Sequence, residues 1–197
     1  VEEWAGHASI PVINGLTDLH HPCQALADVF TIKEKKGNLN GLKLTYIGDG
    51  NNVAHSLIEI CVKTGIDIVL ACPKGYEPDK KIVKDAIEDA KKQGSSINII
   101  ADPIKAANNA DILYTDVWAS MGQEKEHKKR LKIFKDYQLN KKLLKAAKPD
   151  ALVMHCLPAH RGEEITEDVL EGTNSVIFDQ AENRLHTQKA VMLRLMK

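Results

Sequence analysis

Short apolar runs alternate along the chain with amphipathic stretches, and this pattern predicts β-strands that alternate with α-helices. The apolar runs that predict strands are 42–47, 66–71, 97–101, 112–115 and 151–155, with 175–178 as a candidate sixth. The stretches with helical periodicity are 22–36, 53–64, 78–93, 103–108, a charged stretch through Tyr137, 140–147 and 182–196. This order predicts an α/β fold, a doubly wound (Rossmann-like) parallel sheet of about five strands with helices on both faces.

Three polar loops follow predicted strands, at 48–52, 116–124 and 155–163. Right-handed crossovers place the C-terminal ends of parallel strands at one edge of the sheet. Open α/β folds bind their ligands at that edge. We therefore expect the three loops to converge on one site.

Composition narrows the classes of partner. Of the 197 residues, 43% are hydrophobic and 27% charged, as in ordinary globular proteins, and the formal net charge is zero. Zero net charge argues against nucleic acid or an anionic membrane as a partner, because both attract basic surfaces. We expect the lysine-rich stretch 125–135 to be a solvated helix face. No membrane span, signal peptide or CxxC pair occurs, which favours a cytoplasmic protein without a metal site.

The segment Gly48-Asp-Gly-Asn-Asn-Val53 half-matches the dinucleotide fingerprint GxGxxG between a strand and a helix. Val53 replaces the third glycine, and the next predicted strand ends at Ala71-Cys72-Pro73 without the carboxylate that would hold a ribose. A nucleotide cofactor is therefore disfavoured. A glycine turn without a ligand, with Asn51 and Asn52 capping the helix, remains an alternative.

Four segments together resemble the aspartate/ornithine carbamoyltransferase family. They are His21-Pro-Cys-Gln-Ala-Leu-Ala-Asp28, Asp116-Val-Trp-Ala-Ser-Met-Gly122, His155-Cys-Leu-Pro158 and Glu182-Asn-Arg-Leu-His186. The loop 48–52 also fits, and the resemblance runs from about Ile10 to the end of the chain. Aspartate-specific members carry a proline where this chain has Cys156, so the resemblance favours the ornithine-specific branch.

The resemblance implies transfer of a carbamoyl group from carbamoyl phosphate to the δ-amine of L-ornithine. The products are L-citrulline and phosphate, and the reaction belongs to arginine metabolism. No metal or organic cofactor is implied. The alternatives are a carbamoyltransferase for another amine, such as putrescine or a modified ornithine, and, less favoured, a nucleotide-binding Rossmann module.

Members of the family have two domains, and the first carries a Ser-Thr-Arg-Thr phosphate loop that this sequence lacks. The resemblance thus implies that residues 1–36 are an inter-domain segment and linking helix. Residues 37–197 are then the ornithine-binding α/β domain, and the N-terminal carbamoyl-phosphate domain is absent from this chain. We expect the chain alone to be catalytically incompetent. The full-length protein is expected to be a homo-oligomer, a trimer or a multiple of trimers.

For carbamoyl phosphate, the resemblance implies that His21 contacts the carbonyl oxygen and Gln24 the carbamoyl group. Their spacing of three residues places both on one helix face. Arg184 would lie near the same group, where a guanidinium stabilises charge. Cys156 and Leu157 would also lie against it.

For ornithine, the resemblance implies contacts from Asn52, Asp116, Ser120, Met121, Cys156 and Leu157. Asp116 at a strand end suits an amine, and Cys156 beside it would help to orient the δ-amine. A nucleophilic role for Cys156 is disfavoured, because the reaction has its own nucleophile. We expect core packing for Trp118, and loop or ion-pair roles for His160 and Arg161.

Overall fold

The computed structural model describes residues 1–119 and 126–196. Its strands are β1 (Lys43–Ile47), β2 (Asp67–Ala71), β3 (Ile97–Ile100), β4 (Ile112–Thr115) and β5 (Leu152–His155). They form one sheet in the order β3-β2-β1-β4-β5, and every neighbouring pair is parallel. The predicted doubly wound parallel sheet of five strands is confirmed.

The helices are α1 (Glu2–His7), α2 (Pro22–Lys36), α3 (Asn52–Thr64), α4 (Lys80–Gln93), α5 (Pro103–Ala107), α6 (His127–Ile133), α7 (Lys141–Ala146), α8 (Glu167–Leu170) and α9 (Ile177–Leu195), with a 3₁₀ turn at Lys135–Tyr137. Several start where a side chain can accept from the free N–H groups of the first turn. The caps that do so are Asn51, Asp79, Asp102 and Asn140. Each cap of this kind stabilises its helix by about 1 kcal/mol.

The candidate sixth strand at 175–178 is wrong. Ser175 makes only an isolated bridge to Val153, and α9 begins at Ile177, five residues before the start predicted for this helix. Val176 and Ile177 are buried because the first turn of α9 packs on the sheet. A short apolar run does not distinguish a buried helix start from a strand.

Two apolar layers enclose the sheet. Alternate strand residues such as Tyr46 and Tyr114 pack under α2, α3 and α4, whereas Ile47 and Leu113 face the layer under α5, α7 and α8. Because both faces are covered, the strands read as nearly continuous apolar runs. The helices cover the two faces of the sheet, and the polar loops lie at the C-terminal ends of the strands, outside these apolar layers.

Helices α2 and α9 lie side by side, and buried polar contacts join them, among them Asn183 Nδ2 to Thr31 Oγ1 at 2.9 Å. The sides of this pair that face away from the sheet are rich in exposed apolar residues, and so is the N-terminal segment. These residues are Trp4, Ile10, Leu26, Phe30, Phe178, Leu185, Met192 and Leu193. Both helices therefore carry apolar residues on more than one side. Within the described part of the chain, no helix is long and apolar enough to cross a membrane.

Candidate active site

The loops after β1, β4 and β5 meet at the carboxylate of Asp116. It lies just after β4, is only 5% exposed, and accepts from the Cys156 thiol at 2.9 Å. Asn51, at the end of the loop after β1, donates its Nδ2 to the other carboxylate oxygen at 2.7 Å. The predicted convergence of the loops after β1, β4 and β5 is therefore confirmed in the described residues.

Asn51, not Asn52, contacts Asp116. Asn51 Oδ1 caps α3 by accepting from the N–H groups of Val53 and Ala54, which leaves its Nδ2 for Asp116. The Asn52 side chain instead donates to the Thr17 carbonyl at 2.7 Å. Consecutive residues at a helix start point in directions about 100° apart, so the two amides diverge. The role of Asn52 toward ornithine stays a prediction.

The thiol of Cys156 is held in its protonated form. Burial, and next the Asp116 carboxylate, raise the pKa of Cys156 well above its ordinary value. The thiolate is the nucleophilic form of cysteine, so this environment opposes covalent catalysis. It suits a thiol that donates to Asp116 and lies beside a ligand.

The turn after β5 is organised by His155. The Leu157 N–H donates to His155 Nδ1 at 2.8 Å, so Nε2 carries the ring proton and faces Glu164 Oε1 at 3.1 Å. His155 and Glu164 are both buried. Leu157 itself has φ of 59°, a conformation that non-glycine residues rarely adopt. His155 therefore fixes the turn that carries Cys156 and Leu157. This is a structural reason for a histidine at the end of an apolar strand.

His21 lies at the N-terminus of α2. Its Nδ1 is 3.0 Å from the Gly15 carbonyl oxygen, and its backbone N–H donates to Ser56 Oγ at 2.7 Å. Burial, and next the Arg184 guanidinium, lower the pKa of His21, whereas Gly15 and Asp116 act in the opposite direction. Because a carbonyl oxygen only accepts, Nδ1 carries the proton and the neutral ring offers Nε2 as an acceptor.

Gln24 and Arg184 are brought together, as the resemblance implies. Gln24 Oε1 accepts from Arg184 Nη1 at 2.5 Å. On the other side of the guanidinium, the Gln188 amide oxygen, turned toward it, accepts from Nε and Nη2, each at 2.8 Å. His21, Arg184 and Gln188 line a cavity of about 460 Å³. A cation and an imidazole at one cavity suit an anionic ligand.

Asp28, which no sequence argument selected for the site, is fully buried behind Gln24. It accepts from Gln24 Nε2 at 2.8 Å, Gln180 Nε2 at 2.7 Å and the Tyr114 hydroxyl at 3.1 Å. Burial raises the pKa of Asp28 to about 7, against the opposing effect of these donors. The one indication in the sequence that Asp28 belongs near the site is that it ends the family-resembling segment His21–Asp28.

Arg130 corrects the expectation of a solvated face at 125–135. Its neighbours Lys128, Lys129 and Lys132 are exposed, but Arg130 is buried, and its Nη1 lies 2.6 Å from Asp49 Oδ2. The same nitrogen donates to the Trp118 carbonyl at 2.8 Å. Arg130 thereby ties α6 to the loops after β1 and β4.

Other residues near this rim keep their predicted packing or surface roles. The Trp118 ring is buried and stacks on Phe134, as predicted. Arg161 pairs with Glu167 and Glu171 on the surface, also as predicted. Ser120 and Met121 lie outside the described residues, so their implied contacts stay predictions.

The glycine of the half-matched fingerprint has a packing reason. A Cβ added to Gly50 would lie 2.7 Å from Pro78 Cα and would overlap the Glu77–Pro78 backbone. In a dinucleotide site the corresponding glycine admits a pyrophosphate. Here the Glu77–Pro78 backbone fills that space, which argues against a dinucleotide at this loop.

Among the residues that the structure describes, two groups of side chains place metal-ligating atoms within 4.8 Å of one another: Asp116, His155 and Cys156, and His160, Glu163 and Glu164. In the first group, both nitrogens of the His155 ring are already hydrogen-bonded. In the second, Glu163 is paired with His127 at 2.9 Å and Glu164 with His155. An ion at either place would have to displace these contacts.

A doubly wound sheet with a carboxylate, a thiol and an amide at its C-terminal edge defines a ligand-binding α/β domain. The family model for the aspartate/ornithine carbamoyltransferase Asp/Orn binding domain matches residues 40–195, and that for the carbamoyl-P binding domain matches residues 1–34. The chain belongs to the aspartate/ornithine carbamoyltransferase family.

Individual relatives agree with this assignment. The chain is 60% identical to the ornithine carbamoyltransferase of Thermococcus kodakarensis, over 100% of this chain and 62% of that protein. It superposes on the ornithine carbamoyltransferase structure from Pyrococcus furiosus with a TM-score of 0.94 and 60% identity, covering 97% of this chain and 61% of the other. For the Gloeobacter violaceus structure the TM-score is 0.93, with 54% identity and coverage of 100% and 66%. The chain thus spans about 62% of the length of the curated relatives it matches.

Proposed function

We propose that the whole protein transfers the carbamoyl group of carbamoyl phosphate to the δ-amine of L-ornithine, giving L-citrulline and phosphate. The observation that carries this proposal is the Asp116 carboxylate, which meets Cys156 and Asn51 at the ligand-binding edge of the sheet. The similar proteins are ornithine carbamoyltransferases, which supports the same reaction.

On the ornithine side, the chemistry concerns an amine that must lose a proton before it attacks. A free alkylamine is almost fully protonated at neutral pH. We propose that Asp116 holds the δ-ammonium and that the Cys156 thiol and the Leu157 carbonyl orient it as the proton leaves. The neutral thiol adds no second negative charge that would favour the ammonium form. Asn52, Ser120 and Met121 are proposed to hold the α-amino and carboxylate groups.

On the carbamoyl phosphate side, the proposal assigns His21, Gln24 and Arg184 to the carbamoyl group, with Cys156 and Leu157 close by. The amine nitrogen bonds to the carbamoyl carbon, and the bond from that carbon to the phosphate oxygen breaks. Arg184 would stabilise the charge that develops on the carbonyl oxygen. Because His21 Nδ1 faces Gly15, His21 would donate to that oxygen through Nε2 only in its protonated form.

We propose that residues 1–36 are the inter-domain segment and linking helix and that 37–197 form the ornithine-binding domain. The exposed apolar residues of α2 and α9 fit a surface that the rest of the protein covers. Family members hold phosphate in a Ser-Thr-Arg-Thr loop, and no such sequence occurs in these 197 residues. This chain alone would then turn nothing over, whereas the whole protein, as a trimer or a multiple of trimers, would be active.

The test is turnover by the full-length protein, measured as phosphate released and as the carbamoylated form of each amine, with ornithine, putrescine and a modified ornithine as competing amines. Asp116→Asn should raise the KM for ornithine and lower kcat, by about 100-fold in kcat/KM. Asp111→Asn is the matched control, because Asp111 is equally buried at 5% but lies at the opposite end of β4. Equal losses in both variants, or turnover of putrescine in preference to ornithine, would contradict the proposal.

A further inference from the structure

Two hydrogen bonds lead from Asp28 to the guanidinium at the cavity, the first buried and the second partly buried. Gln24 is 1% exposed and connects the two, because its Nε2 donates to Asp28 and its Oε1 accepts from Arg184 Nη1. Gln24 and Asp28 are one helical turn apart on α2, so their side chains are neighbours. Arg184 reaches them from α9.

The two ends of the Gln24 amide are not equivalent in this arrangement. Asp28 Oδ1 accepts from both glutamines, whether the carboxyl is ionised or carries a proton on Oδ2, and a guanidinium only donates, so the Gln24 amide has one orientation that satisfies both neighbours. The reversed amide would set its NH₂ against the N–H groups of Arg184 and its oxygen against Asp28. Leaving such buried groups unpaired costs about 1–3 kcal/mol each. Asp28 therefore determines that an oxygen atom faces Arg184.

Asp28 is itself held firmly. Gln180 Nε2 donates to Asp28 Oδ1, and Gln180 Oε1 accepts the backbone N–H of His155 at 3.0 Å, which fixes the direction of that amide too. Tyr114, two residues before Asp116 on β4, donates to Asp28 Oδ2. The orientation of Gln24 thus depends on β4 and β5, the strands that are directly followed by Asp116 and Cys156.

The Arg184 guanidinium is hydrogen-bonded on two sides. Gln24 takes an N–H of Nη1, and Gln188 takes Nε and an N–H of Nη2. Among residues 1–119 and 126–196, this leaves one N–H on each Nη without a partner, on a side chain that lines the cavity beside His21. A pair of N–H groups in that fork suits an oxygen that carries negative charge.

We propose that Asp28 is a positioning residue that acts through Gln24 to aim the Arg184 guanidinium at the substrate. The inference deepens the proposed function and rests on it. Asp28 touches no substrate; its carboxylate selects the orientation of one amide, and that amide holds one edge of Arg184. Misplacing a catalytic cation by about 1 Å lowers the rate by about 100-fold.

The test is a double-mutant cycle in the full-length protein, read as kcat/KM for carbamoyl phosphate. Asp28→Ala should lower it by about 100-fold, and Asp28→Asn, whose Oδ1 can still accept from both glutamines, should stay within about fivefold of wild type. Within the Arg184→Gln background, Asp28→Ala should cost less than about threefold, because its route to the substrate is already lost. Should Asp28→Ala not fold, Asp28→Ser takes its place in the same cycle.

Thr31→Val is the matched control. Thr31 lies on α2 close to Asp28, is fully buried, and also bonds to α9, but its hydroxyl bonds to Ala27 and Asn183 and not to Gln24. It should leave kcat/KM unchanged. Additive losses from Asp28→Ala and Arg184→Gln, or equal losses from the Asn and Ala variants, would overturn the positioning role while leaving the proposed function standing. Wild-type protein that forms no citrulline would overturn both.

Discussion

The buried carboxylate of Asp28 should make the stability of the fold depend on pH. Its pKa rises from 3.8 to about 7 on folding, chiefly because burial penalises the charged form. That difference corresponds to about 4 kcal/mol of unfolding free energy. The folded state binds the proton more tightly, so this stability is fully present below about pH 4 and is lost progressively as the pH rises toward 7.

Asp28→Asn removes the titration and keeps the shape of the side chain. The variant loses the acceptor for the Tyr114 hydroxyl, which shifts its stability by an amount that does not depend on pH. The unfolding free energy of the variant minus that of wild type should therefore increase by up to about 4 kcal/mol from pH 4 to pH 7 and then level off.

Urea unfolding at a series of pH values measures this difference, provided that the m-values of the two proteins agree. Asp89→Asn is a control of opposite sign, because the half-buried Asp89 carboxylate has its pKa lowered by its hydrogen bond to Lys63. Its stability relative to wild type should fall as the pH rises. A flat difference for Asp28→Asn between pH 4 and 7 would refute the reasoning that burial controls this carboxyl group.

Three further substitutions test the loops around the site. Gly50→Ala should destabilise the protein by about 1–3 kcal/mol in urea unfolding, because the new methyl overlaps the backbone at Pro78; a neutral effect would contradict the packing explanation. Arg130→Met should cost about 3–5 kcal/mol, since it strands the buried carboxylate of Asp49, and the exposed Lys129→Met is its control. Asn51→Ala should cost about 1 kcal/mol through the lost cap of α3 and should also weaken ornithine binding in calorimetry; unchanged binding would separate the cap from the site.

The arrangement of strands and helices could be predicted from local pattern because each signal is local. Pro22 begins α2, and Gly37, Gly65 and Gly94 stand directly after α2, α3 and α4, as glycines commonly do at helix ends. Parallel topology then follows from chain order and crossover handedness alone. The exceptions are the short helices α1 and α8, which no pattern predicted, and the start of α9, where burial against the sheet makes a helix turn resemble a strand in composition.

The chemistry of single side chains was less accessible to sequence reasoning. Asn51 and Asn52 are the same residue type at adjacent positions. Only the direction of the first turn of α3 decides that Asn51 caps the helix and that Asn52 bonds to Thr17 instead. Arg130 lies in a run of exposed lysines, and its burial depends on Asp49, far away in the chain. No local pattern carries that information.

By itself, then, the sequence determined the elements, their order, the sheet edge at which the polar loops meet and the family of the chain, because periodicity, turn residues and motifs are properties of neighbouring residues. The tertiary structure alone decided which polar atoms pair. The links from Asp116 to Cys156 and from Asp28 through Gln24 to Arg184 join residues 40, 4 and 160 positions apart in the chain. Their hydrogen bonds and shifted pKa values arise from burial, which exists only after distant segments have packed together.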